Sequence, residues 1–176
     1  MVDDIMNLSS LGMKETFESY SLKDILAETT ETLEHAITAK KAVIHAANLP
    51  KAIIIPSQMR RLFQNLLSNS IKFAKKDVTP EIKISCEYIK KPDAGEGLWP
   101  ADEYLRIRVK DNGIGFNQED AVRIFNLFDR LHSKSAYEGS GLGLAICRKI
   151  ADNHGGTLTA FSQAGEGAEF ILTIPA

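Results

Sequence analysis

The sequence predicts an α+β fold: a two-layer α/β sandwich in which three main helices cover one face of a mixed, mostly antiparallel sheet. Apolar residues recur at helical spacing in three separate stretches, and segments of strict apolar–polar alternation lie between and after them. The resulting order of helix, strands, helix, strands, helix, strands is that of helices packed on one sheet. A chain of 176 residues with 44% hydrophobic residues suits one domain with a proper core. The formal charge of -2, from 21 basic and 23 acidic side chains, gives no electrostatic case for nucleic acid or an anionic membrane surface. No apolar run approaches a membrane span, and MVDDIMNLSS lacks the parts of a signal peptide, so the expected location is cytoplasmic.

Met1 to Gly12 reads as the last turns of a helix, with Ile5, Leu8 and Leu11 on one side. Its abrupt start predicts a piece of a longer protein: 1–12 the end of a preceding domain, 13–20 a linker, 21–176 the main domain. Ser21, with Asp24 three residues on, opens a helix to about Lys40 whose buried face is Leu22, Ile25, Leu26, Thr29, Leu33, Ala36 and Ile37. Val43 to Ala47 and Ala52 to Ile55 are short strands, and Pro56-Ser57 is expected to cap the next helix. That helix, Gln58 to Lys76, carries a wide apolar stripe of Met59, Leu62, Phe63, Leu66, Leu67, Ser70 and Phe73. Glu81 to Ile89 and Tyr104 to Val109 alternate as strands, separated by a loop rich in proline and glycine whose Trp99 is expected to fold back onto the sheet. Asn117 to Phe128 reads as a short capped helix, Asp129 to Gly139 as a loop, and Ser140 to Asn153 as the third main helix, stopped by Gly155-Gly156. Thr157 to Ser162 and Ala168 to Ile174 then form a terminal hairpin. Cys86 and Cys147 are far apart and read as core thiols, and His35, His45, His132 and His154 have no partners at metal-ligand spacing.

Three stretches carry candidate chemistry. Asn65, Asn69 and Lys72, four and then three residues apart, form one seam on the edge of the apolar stripe. Two amides and an ammonium so placed can face a metal ion and phosphate oxygens, or be a solvated helix face. Asp111-Asn112-Gly113-Ile114-Gly115 follows directly on a strand. An Asn-Gly hairpin would need a returning strand, and a helix is expected next, so the turn reads as glycine backbone approaching a flat ligand, with Asp111 placed to accept from an amino group. Gly139-Ser140-Gly141-Leu142-Gly143 is either a flexible join or a phosphate cradle of free N–H groups at a helix N-terminus. It lacks the lysine of a Walker A loop and does not follow a strand as a dinucleotide fingerprint does.

The asparagine-bearing helix, then DNGIGF, then RIFNLFDR, then GSGLGLAI, in that order, resemble the N, G1, F and G2 boxes of the histidine-kinase ATP-binding domain, a member of the Bergerat-fold (GHKL) superfamily. The likeness covers roughly Ser21 to Ala176, closing with GEGAEF and the final TIP. It implies ATP and Mg²⁺ as ligands. Asp111 would accept the adenine amino group, and Gly113 and Gly115 would let the turn pass the base. Asn69 would bind Mg²⁺, Asn65 would support the metal and phosphate end, and Lys72 and Arg130 would meet the phosphates during transfer. Gly139, Gly141, Leu142 and Gly143 would cradle phosphate. Asp129 to Gly139, with Lys134, would form a lid, unordered without nucleotide, hinged on Phe125 and Phe128, whose phenylalanines also suit a plain core role.

The resemblance further implies transfer of the γ-phosphoryl group to a histidine on a separate helical dimerisation domain, whose last turns residues 5–12 resemble. No histidine here matches that acceptor, so the chain is not expected to phosphorylate itself. The implied partners are that helical domain and a downstream response regulator, with a homodimeric full-length kinase and a monomeric fragment. An ATP hydrolase of the gyrase or chaperone type is the alternative; such enzymes put glutamate where Asn65 stands, and a neutral amide is no general base. A third reading is an anti-sigma-type serine kinase or nucleotide-binding interaction module, against which stand the intact boxes and the helical remnant.

Overall fold

The computed structural model describes residues 15–90, 98–127 and 141–176. Its elements are β1 (Glu18–Ser21), α1 (Leu22–Thr32), α2 (Glu34–Lys40), β2 (Val43–Ala47), β3 (Lys51–Ile54), α3 (Pro56–Lys72), β4 (Glu81–Lys90), β5 (Glu103–Asp111), α4 (Gly143–Asn153), β6 (Thr157–Gln163) and β7 (Gly167–Pro175). Five strands form the main sheet in the order β2-β4-β5-β7-β6. β2 and β4 run parallel, and the other pairings are antiparallel. The expected sandwich is therefore found. Ile82 and Ile84 of β4, Leu105, Ile107 and Val109 of β5, and Phe170 and Leu172 of β7 are buried on the face that meets the helices. From the helix side Met59, Leu62, Phe63, Leu66 and Leu67 of α3 are essentially inaccessible. Each such side chain contributes roughly 1.5–3 kcal/mol by leaving water.

Several boundaries differ from expectation. The helix expected from Ser21 to Lys40 is two helices broken at Leu33. Thr29, Thr30 and Thr32 turn their hydroxyls onto the carbonyls of Ile25, Ala27 and Glu28, at 2.7, 2.8 and 2.9 Å, and such back-bonding weakens a helix. Ser21 does cap the first of them, accepting from the Asp24 N–H at 3.2 Å. Ser57 does not cap α3: Ile55 is the N-cap residue, Pro56 occupies the first turn, and the Ser57 hydroxyl donates to Glu15. α3 ends at Lys72 rather than Lys76, because the Phe73 carbonyl turns away to accept the Ile114 N–H at 2.9 Å. Two short 3₁₀ turns, Gln118–Asp120 and Arg123–Phe125, replace the helix expected from Asn117. Gln118 pins this segment to β6, donating to the Ala160 carbonyl and accepting from the Ser162 N–H, which competes with helix formation. Trp99 lies against Gly155 rather than on the sheet, its N–H bonded to the Gly155 carbonyl at 2.8 Å.

The stretch 13–20, expected as a linker, contributes β1, which pairs antiparallel with β3 in a separate two-stranded sheet. Phe17 sits edge-on to the His154 ring, centroids 5.3 Å apart. His154 is buried. Its Nδ1 lies 2.7 Å from the Ile150 carbonyl and its Nε2 accepts the Ile55 N–H at 3.0 Å, so it is the neutral tautomer with hydrogen on Nδ1. Burial holds its pKa below the ordinary value, against smaller upward pulls from the Ile150 carbonyl and Glu15. The unfolded chain therefore takes up this proton first as pH falls. The stability that His154 contributes is intact above the unfolded pKa of about 6.5 and is lost as pH drops through the lower folded value. Urea unfolding across about pH 7 to pH 5 should show this loss, and His154→Gln should flatten it.

Both cysteines behave as core thiols: burial pushes Cys86 and Cys147 up to about 12, which excludes thiolate chemistry at neutral pH. Among the described residues no helix is long and apolar enough to cross a membrane.

Candidate nucleotide site

α3 and α4 pack antiparallel, in contact at three levels. Asn153 Nδ2 donates to Gln58 Oε1 at 3.1 Å, and the Cys147 thiol lies 3.8 Å from the Leu62 carbonyl. At the third level a Cβ placed on Gly143 would come within 3.3 Å of Asn65 Oδ1. This direction brings the N-terminus of α4 to the half of α3 that bears Asn65, Asn69 and Lys72. Asn65 of the polar seam and Gly143 of the glycine-rich turn, 78 residues apart in sequence, thus meet at one place. Asn65 is the pivot: its Nδ2 is buried with no hydrogen-bond partner within the described residues. A buried amide hydrogen left without an acceptor costs about 1–3 kcal/mol. Lys72 carries its ammonium 4.6 Å from the centre of the Phe73 ring.

Asp111 ends β5 beside the far end of α3. Its Oδ1 accepts the N–H groups of Gly113 and Ala168 at 2.9 and 3.2 Å, and its Oδ2 accepts the Ser70 hydroxyl at 3.1 Å. Burial pushes the carboxyl up from its ordinary value; these three donors and the Lys75 charge pull the other way without cancelling it. A half-buried carboxylate with three fixed donors has lost most of its lone pairs to the protein and keeps one direction for a ligand.

The two glycines of this turn have structural work of their own. A Cβ on Gly113 would lie 2.6 Å from the Phe73 carbonyl oxygen. Gly115 has φ of +62°, and a Cβ there would come within 2.2 Å of the Gln163 carbonyl. Both let the turn close onto α3 and the β6–β7 hairpin, which fixes Asp111 in place. Asn112, just before Gly113, is structural, accepting the Glu81 N–H and donating to the Thr79 carbonyl.

Of the other expected site residues, Phe125 is buried, edge-on to Phe170 with centroids 6.5 Å apart, and is a core residue. Gly141 has φ of +74°, and Leu142, buried, is the N-cap residue of α4, which begins at Gly143 and not at Ser140. Phe128, Arg130, Gly139 and the expected lid, 129–139 with Lys134, lie outside the described residues. The structure thus brings Asn65 against Gly143 and Asp111 against the last turns of α3. Two participants were missed from sequence: Ser70, counted in the apolar stripe, and the Ala168 N–H. A lone hydroxyl in an otherwise apolar helix face was the available signal for the first; backbone at a hairpin leaves none.

Residues 54–176 match the family described as histidine kinase-, DNA gyrase B-, and HSP90-like ATPases. The chain belongs to this ATPase family. It is an ATP-binding domain, and its sequence relatives are sensor kinases and phytochromes. It is 36% identical over 176 residues to cyanobacterial phytochrome A of Nostoc sp., covering 99% of this chain and 21% of that protein. It is 33% identical over 172 residues to the sensor protein KdpD of Escherichia coli, covering 98% of this chain and 18% of that one. The chain therefore spans about a fifth of the length of these relatives. In fold it is similar to the catalytic domain of the histidine kinase ThkA, with a TM-score of 0.68 and 24% identity, covering 90% of this chain and 95% of that domain.

Proposed function

We propose that this domain binds MgATP and transfers the γ-phosphoryl group to a histidine on a helical phosphoacceptor domain of the same kinase. In that reaction the bond from the γ-phosphorus to the β,γ-bridging oxygen breaks, a nitrogen–phosphorus bond forms on the imidazole, and ADP leaves. The observation that carries the reading is the meeting of the Asn65 seam with the α4 N-terminus, in line with a carboxylate that keeps one lone-pair direction for an amino group.

Asp111 would receive the adenine amino group. Asn69 supplies a neutral, hard amide oxygen. That suits Mg²⁺, which keeps several waters and takes few protein ligands beside the phosphates. Among the described residues no cluster of three His, Cys, Asp or Glu exists to hold a metal without the nucleotide. Mg²⁺ bound there would neutralise phosphate charge. Lys72 and Arg130 would add positive charge at the phosphates, and Gly139, Gly141 and Gly143 would offer N–H donors at the helix start. Asn65 stands where a water-activating acid would be needed for hydrolysis, and an amide accepts no proton at neutral pH.

Residues 1–12 are read as the end of the preceding helical domain, with a response regulator as the downstream acceptor and a homodimer as the state of the whole kinase. Mixing the purified domain with MgATP and that helical domain should give an acid-labile, alkali-stable phosphoprotein. Phosphoserine, or no transfer, would sink the proposal; steady ATP hydrolysis without a protein acceptor would favour a hydrolase.

A further inference from the structure

We infer that Ser70 is a positioning residue for purine selection: its hydroxyl fills one lone pair of Asp111 Oδ2, so that the carboxylate presents a single acceptor direction suited to a 6-amino and not a 6-oxo purine. The inference rests on the reading of Asp111 as the purine-contacting group.

The geometry is specific. Asp111 Oδ1 is saturated by two backbone donors, Gly113 and Ala168, at 2.9 and 3.2 Å, so only Oδ2 can serve a ligand. At Oδ2 stands the Ser70 hydroxyl, 3.1 Å away on a residue of α3 that is 2% exposed. The same hydroxyl lies 3.0 Å from the Leu66 carbonyl, so its one hydrogen is shared between the helix and the carboxylate. α3 thereby aims the carboxylate through a buried side chain packed among Leu66, Leu67 and Ile71.

The hydroxyl also bears on the protonation state, as one of the smaller influences that favour the carboxylate. Burial favours the neutral acid, and Ser70, the two N–H donors and the Lys75 charge favour the carboxylate. A neutral acid can donate to a 6-oxo group; a carboxylate can only accept. Loss of the Ser70 donor should raise the pH at which Asp111 changes role and thereby blur the choice of base.

The test is the ratio of ITP to ATP dissociation constants, measured calorimetrically with Mg²⁺ from about pH 5 to pH 8. Phosphate titration is common to the two nucleotides and cancels in the ratio, leaving base recognition. Ser70→Ala should lower the wild-type preference for ATP by roughly tenfold near neutrality and shift the midpoint of its acid loss upward. Ser70→Thr, which restores a hydroxyl, should return both. Ser70→Cys, close to serine in size but a weak donor, should resemble alanine. A Ser70→Ala protein with the wild-type ratio and midpoint would overturn the inference, as would a Cys variant indistinguishable from wild type. If Asp111→Asn keeps the wild-type ratio, Asp111 does not read the base, and the failure lies in the underlying assignment and not in Ser70.

Discussion

Asp111→Asn should weaken ATP binding by about 1–3 kcal/mol, a factor of roughly 5 to 150, while leaving the fold intact. The direction of the amide follows from the two backbone donors. Gly113 and Ala168 direct N–H groups at Oδ1, so the carbonyl oxygen of the asparagine must occupy that position and its NH₂ must replace Oδ2. The group facing the base then donates where the carboxylate accepted. Adenine, with an amino group, meets a second donor; a 6-oxo purine meets a partner. Calorimetry should show ATP affinity falling and ITP affinity falling less or rising. Unchanged ATP affinity would show that the base does not sit against Asp111.

The same substitution should not cost stability. Burial raises the Asp111 pKa in the fold, so the stability linked to its proton is fully present below the unfolded pKa and is lost as pH rises through the folded one. At neutral pH the ionised carboxylate is therefore a burden on the fold that the amide removes. A melting temperature equal to or above that of the wild type is expected, paired with weaker ATP binding. A carboxylate that is held by three donors and yet costs its own domain stability is what the proposed ligand-binding role predicts.

Gly167→Ala should be among the most damaging single-methyl additions available, costing roughly 3 kcal/mol or more. Gly167 has φ of +95°, where an L side chain is strained, and its Cβ would lie 2.0 Å from the Asp111 carbonyl oxygen. Neither the hairpin nor the strand end can yield alone, because the Gly167 carbonyl accepts the Ser162 hydroxyl at 2.6 Å while Asp111 holds the neighbouring Ala168 N–H. Chemical denaturation should report the loss of stability. ATP affinity, measured where the variant is still folded, should fall as well, since the strand end that carries the carboxylate has to move. Wild-type stability would mean that the hairpin is free to shift away from β5.

Much of this architecture is legible in the sequence because it rests on periodicity. The alternation of Ile82, Ile84 and Cys86, or of Leu105, Ile107 and Val109, fixes which face meets the helices, and the stripe of α3 fixes its buried side. Positions Asn65, Asn69, Lys72 and Asp111 could be singled out because polar groups in those places need a reason. Ser70 left only a faint signal: a lone hydroxyl on an apolar helix face is also compatible with plain burial, and its partner lies 41 residues on. The break at Leu33 and the 3₁₀ turns around Gln118 were equally hidden, since they arise from side chains bonding to backbone, locally or across the fold, and not from hydrophobic spacing. The glycines of the turn read from sequence as space for a ligand, and the structure shows protein backbone against both of them.

Glu15 bonds Ser57 and Gln58 in the first turn of α3. The opposite end of that helix bears Asn69 and Lys72. Seventeen helical residues make a rod of about 25 Å between them. A shift of Glu15 would therefore bear on one end of a strut whose other end carries the residues proposed to face metal and phosphate.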